Sequence, residues 1–425
     1  MIPSDPTRVT AHCFARIGIP DQRRLEVARA HGAYDFLPVV LNDFDPGKII
    51  NEVKASGIRG RGGAGFPTGL KWSFVPRNTG KPTYLLCNAD EGEPGTFKDR
   101  DIIRFDPHLL IEGMIMAGFA LGVHDAYIYI RGEFKREAEI LNEAIGEAYA
   151  ANLLGERILG TDFSMNITVH RGAGAYVCGE ETALIESLEG RPGRPRFKPP
   201  FPAVEGFYQC PTVVNNVETL ASIPAILRHG GKWHAAIGRP NNTGMKIFSV
   251  SGQVKRPGNY EVPLGTPLKT LIEEHCGGLR HGVVPKAVIP GGSSSNWLMP
   301  EQYDIPLTFD DLMKAGSMLG SGAIIVMDET ADVVAVAARL ARFYAHESCG
   351  QCTPCREGTG WLARVMRRIE QGGGREEDFQ ILEEGATHMA GRTICALADG
   401  AAAPVLSLIR NFPDEVRARM LRRAA

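Results

Sequence analysis

Apolar and polar positions repeat along this chain with two periods, and the period changes with position. Apolar runs of strand length, Thr83–Cys87, Ala126–Ile130 and Ile167–His170, alternate with helix-spaced stretches at Pro107–Leu121 and Lys135–Ala150. Earlier helices are predicted over Asp21–Ala30 and Pro46–Lys54. Strands alternating with helices over residues 46–242 predict an α/β domain with a largely parallel sheet. Over 243–330 the texture changes. Lys246–Ser251 and Asn259–Val262 predict a hairpin turning at Arg256-Pro257-Gly258, then a short helix over Pro267–His275 and a returning strand at Ala287–Ile289. This suits a small β-grasp-like module, read as structural or partner-binding. Over 331–425 only helices are predicted: Val333–His346, Thr359–Gln371, Asp378–Met389, Ala401–Arg410 and Pro413–Arg422. Their short connections favour an antiparallel bundle. Residues 1–45 read as a helical extension packed around the next domain, and the arginine-rich end, Arg417–Arg423, as a solvated face.

A chain of 425 residues has ample material for a core and two to four domains. A net charge of −2 points to no nucleic-acid partner. The longest apolar run, Met114–Val123, is too short to span a bilayer and no secretory signal is visible, so a cytoplasmic protein is expected. Nine cysteines, three of them within seven residues, favour a reducing compartment and a metal site over a disulfide framework.

The chemistry centres on Arg59-Gly60-Arg61-Gly62-Gly63-Ala64-Gly65-Phe66-Pro67-Thr68-Gly69-Leu70-Lys71-Trp72. Such a loop lets the backbone approach a ligand closely and can line an anion-binding concavity. Arg59, Arg61 and Lys71 would add positive charge for a phosphate-bearing cofactor, and Phe66 and Trp72 flat faces for a ring. The Gly60-x-Gly62-x-x-Gly65 spacing matches a dinucleotide fingerprint, but a helix precedes it and the first strong strand comes after it, so the ordinary Rossmann reading fails. Asn88-Ala89-Asp90-Glu91-Gly92-Glu93-Pro94-Gly95 stands at the carboxyl end of a buried strand, where open α/β sheets place ligands. A second glycine-rich stretch, Arg171–Glu181, leads into a helix starting near Gly179 whose first turn carries Glu180 and Glu181. Arg191–Pro202 reads as an extended strap, with Lys198 and Phe201 within reach of a ligand or merely packed. Asn215 and Asn216 either cap the helix they precede or recognise a flavin or ribose edge.

Ser348-Cys349-Gly350-Gln351-Cys352-Thr353-Pro354-Cys355 is the most specific signal. Three thiolates in Cys-x2-Cys-x2-Cys spacing can wrap one corner of a [4Fe–4S] cluster, which needs a fourth cysteine. Only Cys395 lies downstream. Zinc completed by His346 or His388 is the rival, although zinc sites more often use two separated ligand pairs. Cys13, Cys87, Cys178, Cys210 and Cys276 read as small buried residues.

With these motifs in order, the chain from about residue 40 to 412 resembles the flavoprotein subunits of NADH–quinone oxidoreductase, the F or 51-kDa subunits of respiratory complex I. The resemblance implies a Rossmann-like domain binding FMN and NADH, a ubiquitin-like β-grasp module of the SLBB type, and a helical bundle holding a [4Fe–4S] cluster. By motif match, Gly60, Gly62, Lys71, Asn88, Asp90, Glu93, Tyr176, Gly179, Glu180, Asn215, Asn216 and Thr219 would line FMN. Phe66, Lys71, Phe74, Glu93, Glu181, Lys198 and Phe201 would contact NADH, and Cys349, Cys352, Cys355 and Cys395 would hold the cluster. No side chain acts as general acid or base; the flavin carries the chemistry. The implied partners are the [2Fe–2S] thioredoxin-like E (24-kDa) subunit and the iron–sulfur G (75-kDa) subunit, on the cytoplasmic side of the inner membrane. A diaphorase subunit of a soluble NAD-linked hydrogenase or formate dehydrogenase is the alternative function. A non-catalytic scaffold whose metal only ties helices together is the alternative from another class.

Overall fold

Three predicted apolar runs and one unpredicted segment join in a single parallel sheet in the computed structural model, which describes residues 12–77 and 79–420. The strands are β1 (Thr83–Ala89), β2 (Val123–Ile130), β3 (Asn166–Arg171) and β4 (Thr212–Asn216), in the order β3-β2-β1-β4. Leu85 of β1 pairs with Ala126 of β2 on one side and Val213 of β4 on the other. The chain thus moves outward through β2 and β3, then returns to the far side of β1. Where strand order reverses, carboxyl ends diverge and leave a crevice. Here that crevice opens between Asn88-Ala89-Asp90 and Asn215-Asn216.

The helix Pro107–Leu121 is apolar on nearly all sides and almost wholly buried, as a helix with no polar face must be. It lies directly against Leu220, because Gly113 has no Cβ: one added there would sit 2.0 Å from the Leu220 carbonyl oxygen.

After a two-residue ladder, β5 (Gly238–Arg239) and β6 (Asn242–Thr243), comes a mixed sheet of order β8-β7-β10-β9. Its strands are β7 (Met245–Gly252), β8 (Gly258–Pro263), β9 (Ala287–Ile289) and β10 (Ala323–Met327). The predicted hairpin is β7–β8, antiparallel, with a turn spanning 253–257 that is longer than expected. β10 is central, parallel to β7 and antiparallel to β9. The pattern did not reveal β10, because a five-residue apolar run without alternation has no diagnostic period. The predicted helix at Pro267–His275 is a short turn, Leu268–Thr270, continuing into a π-turn, Leu271–His275.

The helices Val333–Glu347, Thr353–Glu370, Glu377–Met389, Leu397–Asn411 and Pro413–Met420 pack as a bundle around Tyr344, Leu362, Met366, Leu382 and Leu408. The second begins at Thr353 rather than 359, with Pro354 in its first turn, where proline is at home. Cys355 therefore sits on the helix rather than before it. Residues 421–422 of the last predicted helix, and the Arg422-Arg423 end, lie outside the described residues. Of the arginines expected on a solvated face, Arg417 is exposed and pairs with exposed Glu376, while Arg419 is half-buried against Asp332. The described part of the N-terminal extension is stitched down as predicted. The N–H groups of Cys13 and Phe14 donate to Glu261 of β8, both at 2.9 Å, and that of Leu25 to Glu147 at 2.7 Å.

Candidate functional site

The crevice at the β1/β4 edge is closed into a cavity of about 560 Å³, within the range of small-molecule sites. One wall is the α/β domain: Gly62, the Asn88–Glu93 loop, Tyr176, Gly179, Glu180 and Asn216. A second is the Ser294–Asn296 loop of the mixed sheet, and a third the start of the helix Leu397–Asn411. The small module, read from its sequence as structural or partner-binding, thus also lends a wall to the cavity. Its Gly292, at φ +97°, passes so close to Glu93 that a Cβ would sit 2.5 Å from the Glu93 side chain.

Eight of the twelve residues expected at the flavin line this cavity: Gly62, Asn88, Asp90, Glu93, Tyr176, Gly179, Glu180 and Asn216. The other four stand behind it. Gly60 closes the glycine loop by donating from N–H to the Phe66 carbonyl at 2.9 Å. Thr219 accepts from the Arg61 N–H at 2.8 Å. Asn215 accepts from the Trp72 indole N–H at 2.8 Å, and Lys71 donates to the Val214 carbonyl at 3.1 Å. Asn216 is the N-cap of the helix Val217–Ala221, accepting from Glu218 N–H at 3.0 Å, while it also lines the cavity. Both readings of this amide hold at once.

Two expectations fail here. Arg59 and Arg61 do not charge the loop for a phosphate. Arg61 is fully buried and donates to the carbonyls of Thr243 and Met245, and Arg59 is paired with Asp310 at 2.8 Å. Trp72 offers no free ring face, being 1% exposed. Both point inward for one reason: the glycines leave the loop without apolar bulk, so its longer side chains supply the contacts that fasten it.

The residues present suit FMN. Asp90 faces the cavity, and its Oδ2 has no hydrogen-bond partner among the described residues, so a hydroxyl donor of a ligand would satisfy it. Burial raises its carboxyl to about 7, against the opposing pull of Arg131. Glu93 is held from three sides, by Tyr176 OH at 2.5 Å, Ser293 Oγ at 3.0 Å and the Ser294 N–H at 2.8 Å.

The residues expected at the nicotinamide cofactor, Glu93 apart, line no part of the cavity. Phe66, Phe74 and Phe201 are 42%, 50% and 58% exposed, far more than aromatic rings usually are without a partner. Phe66 and Phe74 lie 6.2 Å apart between ring centroids. Lys198 on the strap reaches back to Glu181 at 2.8 Å and Glu180 at 3.1 Å, and Lys71 approaches Glu181 at 3.7 Å. Burial alone would raise the Glu181 carboxyl, but Lys71 and Lys198 bring it below the ordinary value.

Cys349, Cys352, Cys355 and Cys395 line one small pocket. The connection Ala390–Ala396 brings Cys395 back, and the Ile394 N–H points at Cys352 Sγ at 3.4 Å. His346 and His388 are exposed and line no part of it. Among the described residues, no three His, Cys, Asp or Glu side chains converge on a point that one ion could occupy. Four thiols around a pocket without such convergence suit a cluster, whose irons are spread over a cube, better than a single zinc ion. Of the isolated cysteines, Cys13, Cys87, Cys178 and Cys276 are buried as expected and Cys210 is partly exposed.

Sequence reasoning missed Lys98, Asp99 and Glu91, which line the cavity, and Ser294–Asn296. The available signal was Lys98-Asp99, a charged pair three residues after the Glu93-Pro94-Gly95 turn and at the start of the helix Asp99–Phe105.

Three family models match in order: the Nuo51 FMN-binding domain over residues 53–225, the SLBB domain over 247–293, and the NADH-ubiquinone oxidoreductase-F iron-sulfur binding region over 335–419. The F subunit of NADH-quinone oxidoreductase from Rickettsia typhi is 57% identical over 88% of this chain and 89% of its own. That of Rickettsia felis is 54% identical over 93% and 94%. Among solved structures, NAD+-reducing [NiFe]-hydrogenase is similar in its air-oxidized state, with TM-score 0.80 and 40% identity, and in its H2-reduced state, with 0.82 and 39%. The matches cover 90% and 91% of this chain but only 64% and 65% of those chains. A parallel-sheet cavity, four cysteines around one pocket and identity above one half along nearly the whole length lead to one conclusion: the chain belongs to the family of NADH-quinone oxidoreductase F subunits, the NADH-oxidising subunits of complex I, with that family's FMN-binding domain and [4Fe–4S] region.

Proposed function

We propose that this chain moves electrons from NADH, through FMN in the main cavity, to a [4Fe–4S] cluster on Cys349, Cys352, Cys355 and Cys395, and so toward quinone. The observation that carries this reading is Cys395, which lines both the cavity and the cysteine pocket. Cys395 and Leu397 form a wall common to the two sites, so a flavin and a cluster held there would be neighbours.

FMN, when bound, supplies a hydride acceptor that gives up its electrons singly. The chain's own residues bind, orient and shield. Asn88, Asp90, Gly179 and Asn216 would hold the flavin, with Glu93 fixed beside it by Tyr176 and Ser293. Phe66, Phe74 and Phe201 would grip the nicotinamide cofactor's rings, with Glu181 and Lys198 at its polar parts. Gly60, Lys71, Asn215 and Thr219 would act by bracing the loop and strand ends. Residues 1–45, 46–242, 243–330 and 331–425 are the proposed units.

Family membership supports a place beside the E and G subunits of the peripheral arm, on the cytoplasmic side of the membrane. No described helix is long and apolar enough to cross a bilayer. A diaphorase role in a soluble hydrogenase is less well supported, since identity to that enzyme is 40% against 57%.

The test is Cys395→Ser. Iron and sulfide content should fall, and the reduced-cluster EPR signal should vanish. Acid-released flavin should remain FMN, and NADH should still bleach it. Cys276→Ser, in the core of the mixed sheet, should change none of these. Unaltered iron and sulfide in Cys395→Ser would refute the ligand assignment, and released FAD would refute the cofactor.

A further inference from the structure

Behind the cavity lies a balanced set of charges that the proposed electron path leaves unused. Lys98 is 1% exposed, yet it borders the cavity. Its ammonium donates to Asp99 Oδ1 at 2.7 Å and to Asn216 Oδ1 at 3.3 Å, and it is ion-paired with Glu218 Oε2 at 2.8 Å. These three partners surround the ammonium and turn it away from the cavity's occupant. Glu218 is shared with Lys246, whose ammonium donates to it at 2.8 Å, and with the Ile247 N–H at 2.9 Å. Two lysines thus face two carboxylates inside the protein, the arrangement that makes buried charge tolerable. Burial works against the charge on Lys98, but Asp99 and Glu218 outweigh it and hold the proton on.

The consequence falls on Asn216. Its Oδ1 accepts from Lys98 and from the Glu218 N–H at 3.0 Å, and its Nδ2 donates to Asp99 Oδ2 at 2.6 Å. Turning the amide over would set its NH2 against an ammonium and a backbone N–H, and its oxygen against a carboxylate. Only one orientation survives. It leaves one Nδ2–H uncommitted on a side chain that lines the cavity. Gly62 leaves the amide room: a Cβ there would sit 3.1 Å from Asn216 Cβ.

We propose that Lys98 is a positioning residue that, with Asp99, locks the Asn216 amide so that the cavity is offered a hydrogen-bond donor for an acceptor atom of the bound flavin. The inference rests on FMN occupying this cavity. Lys246 provides the control. It is equally buried and pairs with the same Glu218, but no hydrogen bond joins it to Asn216.

The experiment titrates FMN into the full-length chain after removal of its flavin, following quenching of flavin fluorescence, with thermal unfolding alongside. Lys98→Met should weaken FMN binding roughly 10- to 100-fold, the value of a lost hydrogen bond in a charged setting. The flavin midpoint potential should shift in the same variant. Lys246→Met should lower the unfolding temperature comparably and leave FMN affinity at the wild-type value. Equal affinities in folded Lys98→Met and wild type would overturn the proposal, as would an equal loss in Lys246→Met. Should Lys98→Met not fold, Asp99→Asn decides. It keeps the volume but turns one oxygen into an NH2, so Lys98 and Asn216 cannot both keep their partner. Unchanged FMN affinity there also overturns it. A wild-type chain that takes no FMN overturns the functional reading and this inference together. A wild type that binds, with variants that bind equally, overturns the inference alone.

Discussion

Glu181 shows how a single carboxylate can be assigned. Helix capping was its competing role, and that role belongs to its neighbour: Glu180 accepts from the Thr182 and Ala183 N–H groups at 2.8 and 3.0 Å. Glu181 instead faces Lys71 and Lys198. A carboxylate there can accept from a ribose hydroxyl and repel a 2′-phosphate. Repulsion between unit charges a few ångströms apart in a partly solvated cleft is on the order of 1–4 kcal/mol. The two lysines offset part of it, so discrimination near the lower end, roughly tenfold in kcat/KM, is expected. Glu181→Gln should raise NADPH oxidation by about that factor while NADH oxidation falls modestly, with a small fall in unfolding temperature from the lost pairs with Lys71 and Lys198. An unchanged NADH/NADPH ratio in the folded variant removes Glu181 from cofactor selection.

At the scale of elements, the glycine loop is held by the helix after it as much as by its own composition. That helix, Thr68–Ser73, lies flat on Pro46–Ala55, and the contact is Gly69: a Cβ there would stand 2.5 Å from the Lys54 nitrogen and 2.8 Å from its Cα. Backbone cannot step aside as a side chain can. Gly69→Ala should therefore push the two helices apart, cost about 1–3 kcal/mol of stability and loosen the loop that borders the cavity. The paired readouts are urea unfolding and FMN affinity. An alanine variant that matches wild type in both would show that the helices slide freely. Another element-scale lesson is Thr353–Glu370. Pattern reading began this helix after the cysteines because Cys-Thr-Pro-Cys lacks helical periodicity, yet proline at the first turn is what places Cys355 on a rigid element.

Across the whole molecule, the N-terminal segment, the apolar helix and the helix Lys135–Ala150 meet at His108. The ring is fully buried. Its Nδ1 lies 2.9 Å from Tyr34 OH and its Nε2 3.3 Å from Glu147 Oε2. A neutral ring that accepts from Tyr34 and donates to Glu147 satisfies both. Burial lowers its pKa to about 4, with Glu147 only partly opposing. In the unfolded chain the same group titrates near 6.5. Below that pH the unfolded chain takes a proton that the folded one refuses. Stability is thus complete above 6.5 and falls as pH drops toward 4, by on the order of 3 kcal/mol for this one ring. His108→Gln should flatten the fall in unfolding temperature between pH 7 and 4.5. A variant whose profile is as steep as the wild type's would place the acid sensitivity elsewhere.

The sequence by itself determined the order of parts and the stretches that carry the candidate chemistry. Glycine runs, the Cys-x2-Cys-x2-Cys spacing and the alternation of apolar periods are local signals, because backbone freedom, thiolate chemistry and amphipathic burial act over a few residues. They led to the parallel sheet, the bundle and the cysteine cluster, while the eight residues found lining the cavity were named through the resemblance to the F-subunit family. Only tertiary structure decided which way each side chain turned. Arg61 and Trp72 read as ligand-facing and are fasteners, buried through partners at Thr243 and Asn215, far along the chain. Lys98 and Glu218 stood in no motif of the sequence and form one buried network, because the cost of a buried charge depends on what the fold brings beside it. The mixed sheet carried no motif, yet its Ser294–Asn296 loop closes the cavity. A wall made from three distant segments leaves no trace in any of them alone, since its geometry is set by how the modules pack.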